Sequence, residues 1–224
     1  MSEQVPVITI DGPSGSGKGT VTQRVAERLG WRVLDSGALY RLVGYAVDQI
    51  GICFDNENRI SKIASELNVE FKDGKIFLED KEVTNLIRTE AAGNSASKVA
   101  TMPGVRAALL DWQRDYAQQP GLVADGRDMG TTVFPQAGVK IFLTASAAER
   151  AQRRYKQLKE KGLPANLAAL TTEIEERDVR DRSRAASPLV PSPDAMQIDS
   201  TAMRIGEVVN IVLRKAHEVY ATPL

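Results

Sequence analysis

Four glycines and a lysine near the start of the chain have the types and spacing of a phosphate-binding loop. The segment reads GPSGSGKGT, with Gly12, Gly17 and Lys18 at the positions that the general pattern G-x-x-x-x-G-K-[ST] requires. Glycines let backbone N–H groups turn toward phosphate oxygens without clashes from Cβ atoms, and the lysine adds a positive charge. The segment departs from the pattern at Gly19, because the hydroxyl residue, Thr20, follows one position late.

A loop of this kind must lie between a strand and a helix if it is to bind phosphate. An apolar run over residues 5–10 precedes it, and the stripe of Val21, Val25 and Leu29 predicts a helix over 18–29 after it. The positive end of that helix adds to the attraction for phosphate oxygens. The strand, the loop, the lysine and the helix together predict a phosphate site.

Short apolar runs alternate with helical patterns along the rest of the chain. This alternation predicts an α/β fold with a parallel sheet, in which ligands bind beyond the carboxyl ends of the strands. A small β insertion is predicted over 69–84, and a basic helical segment over 147–167 is broken at 162–164. The predicted strands are 5–10, 32–34, 122–124, 139–143 and 195–198, and the longest helical patterns are 18–29, 37–50, 103–119 and 204–220.

The composition excludes several classes of function. The 224 residues carry 29 basic and 29 acidic side chains, and this balance argues against a general nucleic-acid-binding protein. One cysteine, Cys53, permits no internal disulfide, and one histidine, His217, is too few for a multi-histidine zinc site. The first residues lack the basic start of a signal peptide, and no apolar run reaches the roughly 18–20 residues that span a bilayer. We therefore expect a cytoplasmic protein.

Arginines are concentrated on two helical patterns in the second half of the chain. Guanidinium groups suit bidentate contacts with phosphate, but arginines at helical spacing are also typical of a solvated ion-pair surface. The spacing alone leaves both interpretations open. The two groups are Arg150, Arg153 and Arg154 at i, i+3, i+4, and Arg177, Asp181 and Arg184 at i, i+4, i+7.

Four segments of the chain, taken together, are specific to one group of enzymes. They are GPSGSGKGT, VLDSGALYR (33–41), ADGRDMGTTVFPQA (124–137) and ERDVRDRSRAASPLVP (176–191). In this order they resemble the bacterial cytidylate kinases, a family of nucleoside monophosphate kinases in which Gly-Lys-Gly-Thr is the usual form of the loop. The resemblance implies a five-stranded parallel sheet flanked by helices as a P-loop core over 1–37, 101–146 and 168–224. It also implies a nucleotide-binding insertion with a small β-sheet over 38–100 and a short helical lid over 147–167.

The resemblance implies phosphoryl transfer from ATP to CMP, with dCMP as a further acceptor and Mg²⁺ as the cofactor of ATP. The attacking phosphate oxygen is already ionised at neutral pH, so alignment and charge neutralisation suffice without a general base. We expect the insertion and the lid to close and exclude water. The expected partners are small nucleotides, with no nucleic acid and no membrane, and the expected state is a monomer.

ATP is expected to bind to the loop and to the arginines of the lid. Because Gly19 has no hydroxyl, Mg²⁺ is expected to take mostly water and phosphate ligands, with Thr20 as the candidate protein ligand. The resemblance assigns catalytic roles to Lys18, Arg127, Arg177 and Arg184. The residues it assigns to ATP are Gly12, Pro13, Ser14, Gly15, Ser16, Gly17, Lys18, Gly19, Thr20, Arg150, Arg153 and Arg154.

The acceptor base is expected to be recognised by a carboxylate, which is a good partner for the N4 amino group of cytosine and repels O4 of uracil. Asp128 suits this role, although an ion pair with Arg127 is an alternative. Ser36 is either the N-cap of helix 37–50 or a nucleotide contact. Ser97 and Arg106 are also compatible with ordinary polar positions on helices. The residues that the resemblance assigns to CMP are Ser36, Tyr40, Arg41, Ser97, Arg106, Arg127, Asp128, Asp181 and Arg184.

Three other functions fit parts of the sequence. A kinase for UMP, AMP or another metabolite would share the loop, but Asp128 and the β insertion favour cytidylate. A GTPase-type switch usually carries an [NT]-K-x-D segment, and the sequence has none. A nucleic-acid-binding protein would use the arginine-rich stretch over 150–184, but the acids within that stretch and the balanced charge argue against it.

Overall fold

Strands and helices alternate along most of the chain in the computed structural model, which describes residues 5–72, 74–183 and 187–222. A 3₁₀ turn at Leu86–Arg88 and a π turn at Met129–Val133 complete the regular structure of these ranges. The strands are β1 Val7–Asp11, β2 Arg32–Asp35, β3 Val69–Lys72, β4 Lys75–Leu78, β5 Lys81–Glu82, β6 Leu122–Gly126, β7 Val139–Thr144 and β8 Met196–Asp199. The helices are α1 Lys18–Leu29, α2 Ser36–Ile50, α3 Glu57–Glu66, α4 Glu90–Val99, α5 Pro103–Asp115, α6 Ala147–Glu160, α7 Leu167–Ser183 and α8 Ile205–Tyr220.

The main sheet is the predicted five-stranded parallel sheet, with the order β2-β6-β1-β7-β8. The central strand β1 pairs with β6 and β7, so that Ile10 lies opposite both Asp125 and Ile141. Every residue of β1 is buried, as expected for a parallel strand covered on both faces. The prediction of an α/β fold with a P-loop core and helices around a parallel sheet is therefore confirmed.

Helices α1 and α8 cover the main sheet with the apolar faces that their sequence periodicity predicts. Val21 and Val25 of α1 and Val212 of α8 are fully buried against the strands. Burial of such side chains contributes about 1.5–3 kcal/mol each, so this cluster contributes strongly to the stability of the sheet. Its members are Ile8, Ile10, Val21, Val25, Ala26, Val123, Val139, Ile141, Leu143, Ile198, Val208, Val209, Val212, Leu213 and Ala216.

The chain folds into two compact units. The first unit consists of Met1–Leu34 and Ala117–Leu224 and contains most of the main sheet, and the second unit is Asp35–Tyr116. The predicted boundaries of the insertion, 38–100, and of the lid, 147–167, describe functional regions and stay predictions.

The second unit contains a small antiparallel sheet and two pairs of packed helices. The sheet has the order β3-β4-β5, and Lys72 lies opposite Lys75 in the predicted hairpin, whose turn residue Asp73 is outside the described residues. Phe71 of this sheet contacts the rings of Trp112 and Tyr116, with centroid distances of 6.0 Å to each. Helix α2 packs on α4, and α3 packs on α5. Helix α5 ends at Asp115, with Tyr116 as its C-cap, and is therefore four residues shorter than predicted.

The basic helical segment of the first unit is broken as predicted. Helix α6 ends at Glu160, and α7 begins at Leu167, after the residues 162–164 that interrupt the pattern. Ala151 of α6 packs against Leu170 and Ile174 of α7 in a small apolar cluster. Within the described residues, no helix has the length and apolar character needed to cross a membrane.

Two helical glycines provide a matched test of the packing between α2 and α4. A Cβ atom on Gly44 would lie 2.7 Å from Cβ of Ser95, whereas one on Gly206 would meet no atom within 4 Å. We expect Gly44→Ala to lower the free energy of unfolding by about 1–3 kcal/mol, because the helices must separate. Gly206→Ala should raise it by about 0.5–1 kcal/mol, because alanine loses less chain entropy. Urea unfolding measures both, and equal effects at the two positions would contradict the close contact.

Candidate active site

The phosphate loop lies between the end of β1 and the start of α1, as predicted. Gly12 has φ 153°, and a Cβ atom there would lie 2.0 Å from the carbonyl oxygen of Leu143 in β7. Only glycine fits this approach, so the loop turns immediately beyond the sheet. Gly17 caps α1 with a left-handed conformation, and its carbonyl accepts from the N–H of Val21 at 3.0 Å.

Lys18 lies in the first turn of α1 and reaches back over the loop. Its Nζ donates to the carbonyl of Pro13 at 3.1 Å. This contact keeps a positive charge close to the loop amides and to the N-terminus of α1, where a phosphate group is most strongly attracted. The loop and Lys18 therefore have the arrangement that the phosphate-site prediction requires.

Arg150 and Arg153 of α6 hold the loop by its carbonyl groups. Nη1 of Arg150 donates to the carbonyl of Ser14 at 3.1 Å, and Nη1 of Arg153 donates to that of Ser16 at 3.1 Å. Arg153 also donates to the carbonyl of Ser200 at 2.7 Å, and Oγ of Ser200 lies 3.3 Å from the carbonyl of Ser16. These contacts fix the peptide groups of the loop on one side.

Asp178 of α7 fixes the guanidinium group of Arg150. The two carboxylate oxygens of Asp178 accept from Nη1 and Nη2 of Arg150 at 3.0 and 2.5 Å. The Nε atom of Arg150 donates to the carbonyl of Ala145 at 2.9 Å. The Arg150 and Asp178 side chains are 3% and 9% exposed, so the solvated-surface interpretation is wrong for Arg150. We call Arg150, Arg153, Asp178 and Ser200 the loop brace. Arg154 is half-buried on the same helix, and direct contacts of these arginines with ATP stay predictions.

A second carboxylate lies beside the loop at the position where the sequence departs from the general pattern. Oδ2 of Asp125, at the end of β6, is 3.3 Å from the position that a Cβ atom on Gly19 would take. Asp125 is buried, whereas Thr20 is exposed in the first turn of α1. A carboxylate and a hydroxyl are oxygen ligands of the type that Mg²⁺ prefers. The residues at this point therefore fit a magnesium ion bound with ATP.

Asp11 connects the end of β1 to the π turn. The backbone N–H groups of Met129 and Gly130 donate to its two carboxylate oxygens, each at 2.8 Å. Burial raises the pKa of Asp11 from 3.8 to about 6, although these two hydrogen bonds act in the opposite direction. Asp128 begins the turn, is buried, and accepts from the N–H of Thr132 through its carbonyl at 2.9 Å. The strand that leads into the loop thus also anchors the segment that contains Asp128.

Arg127 pairs with Asp181 and not with Asp128. Its Nε donates to Oδ2 of Asp181 in α7 at 2.8 Å, and its Nη1 donates to the carbonyl of Gly126 at 3.3 Å. The alternative in which Asp128 serves to fix Arg127 is therefore wrong. Arg177 is half-buried one turn before Asp181, as its spacing predicts, and Arg184 lies outside the described residues.

The second unit brings together several of the residues predicted for CMP. Nη1 of Arg106 donates to the hydroxyl of Tyr40 at 3.4 Å, and Nη1 of Arg41 donates to the carbonyl of Ile87 at 3.1 Å. Ser97 is half-buried in α4.

The N-cap of α2 differs from the prediction. Asp35, not Ser36, caps the helix, because its Oδ1 accepts from the N–H of Ala38 at 2.9 Å. Ser36 is instead the first residue of α2 and donates to Gln113. A carboxylate at the preceding position fulfils the capping role equally well, and the hydroxyl is left for a tertiary contact.

Sequence reasoning missed five residues that these contacts identify: Asp11, Gln113, Asp125, Asp178 and Ser200. Asp11 and Asp125 had a usable signal, since each directly follows a predicted strand, at the edge where ligands bind. The other three act through partners that are distant in sequence, and no local pattern marks them.

The loop brace predicts a large difference between two acids of α7. We expect Asp178→Ala to lower the free energy of unfolding by about 3–5 kcal/mol, because it leaves the Arg150 charge buried without its counterion. Glu176→Ala is the matched control, since Glu176 forms an exposed pair with Arg180 at 3.8 Å and should contribute less than about 1 kcal/mol. Chemical unfolding measures both, and a small effect of Asp178→Ala would contradict the brace.

The raised pKa of Asp11 predicts a pH dependence of stability. Its folded value of about 6 exceeds the ordinary 3.8, so the stabilisation is complete below about pH 4 and is lost as the pH rises through 6. The free energy of unfolding of the wild type, relative to Asp11→Asn, should fall by about 3 kcal/mol across this window. Asp199→Asn is the control. The hydrogen bond from Thr201 lowers the pKa of Asp199, so its contribution is lost only as the pH falls below about 4, and its difference from the wild type should stay nearly constant between pH 4 and 6. Urea unfolding across this range tests the prediction, which a constant difference would refute.

A solved structure supports the fold at low sequence identity. The crystal structure of an uncharacterized protein from Eubacterium ventriosum has a TM-score of 0.53, with 11% identity over 96% of this chain and 99% of that chain. At this identity the likeness concerns the fold alone.

Comparison with protein families identifies the chain more specifically. The cytidylate kinase family profile matches residues 8–218. The cytidylate kinase of Aeromonas hydrophila subsp. hydrophila is 54% identical over 97% of this chain and 96% of that protein. The cytidylate kinase of Marinomonas sp. is 56% identical over 95% of this chain and 96% of that protein. The cytidylate kinase of Serratia proteamaculans is 53% identical over 100% of this chain and 99% of that protein. With this agreement over its whole length, the chain belongs to the cytidylate kinase family.

Proposed function

We propose that this chain transfers the γ-phosphoryl group of ATP to CMP and produces ADP and CDP. The observation that carries the proposal is the phosphate loop between β1 and α1, with Gly12 against the Leu143 carbonyl and Lys18 over the loop, in a member of this family. We also propose dCMP as an acceptor, because it presents the same base and the same phosphate.

The loop is proposed to bind the β- and γ-phosphates of ATP. Backbone N–H groups of residues 12–20 and the N-terminus of α1 supply fixed dipoles, and Lys18 supplies the positive charge. The loop brace holds these amides in place before ATP binds, which reduces the reorganisation that the reaction requires. Arg153 and Arg154 are proposed to add contacts with ATP from α6.

Asp125 and Thr20 are the residues proposed to hold Mg²⁺ together with ATP and water. The magnesium ion, when bound, neutralises phosphate charge and thereby favours transfer of the phosphoryl group. Asp125 is proposed to orient ligands of the ion from the side of the sheet, whereas Thr20 approaches from α1. Gly19 leaves the space between the loop and Asp125 open, since its hydrogen replaces a side chain there.

No general base is needed for this reaction. The attacking oxygen of CMP is ionised at neutral pH, so the protein has to align the nucleotides, neutralise charge and exclude water. The only histidine, His217, contacts the carbonyl of Thr222 at the end of α8. Arg127, Arg177 and Arg184 are proposed to neutralise the transferring phosphoryl group, and the ion pair with Asp181 holds the Arg127 side chain ready.

Asp128 is the residue proposed to distinguish cytosine from uracil. Its carboxylate accepts from the N4 amino group, and it repels the O4 oxygen that uracil presents at the same place. Ser97 and Arg106 are proposed to contact the base, and Tyr40 and Arg41 the acceptor nucleotide. Asp181 is proposed to accept from a sugar hydroxyl. We also propose that the enzyme acts as a monomer in the cytoplasm and binds neither nucleic acid nor a membrane.

An acceptor panel tests the proposed function directly. With ATP and Mg²⁺, we expect the highest kcat/KM with CMP, then dCMP, and much lower values with UMP and AMP. Lys18→Met should lower kcat by about a hundredfold to a thousandfold, because a charge that stabilises the transition state is removed. Lys215→Met is the control, since Lys215 pairs with Glu218 on the exposed side of α8. Best turnover of AMP, or full activity of Lys18→Met, would overturn the proposal.

A further inference from the structure

Gln113 is a buried polar residue that the proposed mechanism does not use. It lies in α5 and is 1% exposed, whereas most glutamine side chains face water. Both ends of its amide group have a partner in the second unit. The nitrogen Nε2 donates to the carbonyl of Leu109 at 3.1 Å, and the oxygen Oε1 accepts from the hydroxyl of Ser36 at 2.7 Å.

The contact with Leu109 fixes the orientation of the amide. A backbone carbonyl oxygen only accepts hydrogen bonds, so the amide nitrogen of Gln113 must face it, and the amide oxygen must face Ser36. The reversed amide would place two oxygens against each other at the Leu109 end. The position of each Gln113 atom is therefore set by the hydrogen-bond chemistry of its neighbours.

The orientation of Gln113 in turn fixes the direction of the Ser36 hydrogen bond. An amide oxygen has no proton, so the hydroxyl of Ser36 must donate to it, and a serine hydroxyl has one proton only. Within the described residues, Gln113 is the one hydrogen-bond partner of the Ser36 oxygen. Ser36 Oγ thus retains acceptor capacity and has no proton left to donate to a ligand.

The chemistry of a nucleotide then decides which of its groups Ser36 can bind. Ionised phosphate oxygens and O4 of uracil only accept, whereas the N4 amino group of cytosine donates. Ser36 is 3% exposed, so a ligand group that reaches it leaves water, and a mismatch of two acceptors is costly. An acceptor-only hydroxyl therefore favours an amino group over a carbonyl group.

We infer that Gln113 is a positioning residue that makes Ser36 an obligate acceptor for the exocyclic amino group of the cytosine base. This inference rests on the proposed function, in which Ser36 belongs to the CMP-binding residues. Gln113 does not touch the nucleotide. It acts by holding the proton of Ser36 away from the ligand, so that a pyrimidine with an oxygen at position 4 finds no donor there.

The test compares kcat/KM for CMP and UMP in variants of Gln113. Gln113→Met removes the acceptor at similar volume, so Ser36 regains a proton that can be donated to O4 of uracil. We expect the CMP:UMP ratio to fall about tenfold. Gln113→Glu keeps an acceptor beside Ser36, whether or not its carboxyl group is protonated, and should keep the ratio within about twofold of the wild type. Since each ratio is measured on one preparation, a partly unfolded fraction does not change it.

The matched control removes the hydroxyl through which Gln113 acts. Ser36→Ala should itself lower the CMP:UMP ratio about tenfold, and adding Gln113→Met should then change nothing further. Ser36→Ala also tests the inference if Gln113→Met does not fold. An unchanged ratio in Ser36→Ala, or equal ratios in Gln113→Met and Gln113→Glu, would overturn it.

Two further outcomes separate the inference from its premise. A wild-type enzyme that does not prefer CMP would overturn the proposed function before any variant is compared. If Gln113→Met changes the CMP:dCMP ratio and not the CMP:UMP ratio, Ser36 accepts from the sugar hydroxyl, and the assignment to the base amino group is wrong. Retention of the wild-type CMP:UMP ratio in all variants leaves the proposed function intact and removes Gln113 from base selection.

Discussion

The phosphate loop depends on one constraint of peptide geometry. In a trans peptide the carbonyl of one residue and the N–H of the next point in opposite directions. The N–H groups of Gly15 and Gly17 face a phosphate only if the carbonyls of Ser14 and Ser16 face away and find donors there. Arg150 and Arg153 are those donors, at 3.1 Å each. A loop that binds anions through its amides therefore needs hydrogen-bond donors behind its carbonyls. Helix α6 supplies Arg150 and Arg153 for this purpose, and Asp178 of α7 holds Arg150 in place.

The end of β1 joins this loop to the segment proposed to recognise the base. Asp11 is the last residue of the strand and accepts from the N–H groups of Met129 and Gly130, one and two residues after Asp128. Burial raises the pKa of its carboxyl group, so the connection costs free energy at neutral pH. The same strand positions Gly12 against the Leu143 carbonyl. Residues proposed for donor and acceptor thus share one rigid support in the first unit.

The sequence predicted what periodicity and strand ends can encode. Helix α1 has the predicted bounds, and all strands of the main sheet occur at the predicted positions. Asp11 and Asp125 lie at the edge of the sheet where ligands were expected, although no role was predicted for either residue. Spacing did not predict which side chain a charged residue meets. Arg150 pairs with Asp178, which is 28 residues away on the next helix. The prediction of Ser36 as the N-cap of α2 was wrong for a related reason. Asp35 and Ser36 are equally good capping residues, and only the tertiary contact of Ser36 with Gln113 decides between them.

Recognition of a base by charge and recognition by hydrogen-bond direction make different demands on a fold. A carboxylate such as Asp128 always accepts, so its position alone determines what it selects. A hydroxyl accepts or donates according to its surroundings, and it selects only when a neighbour fixes its proton. In the second unit the Leu109 carbonyl orients Gln113, and Gln113 orients Ser36. Each step uses an atom that can only donate or only accept. A backbone carbonyl of α5 therefore determines whether the Ser36 hydroxyl of α2 donates or accepts a hydrogen bond.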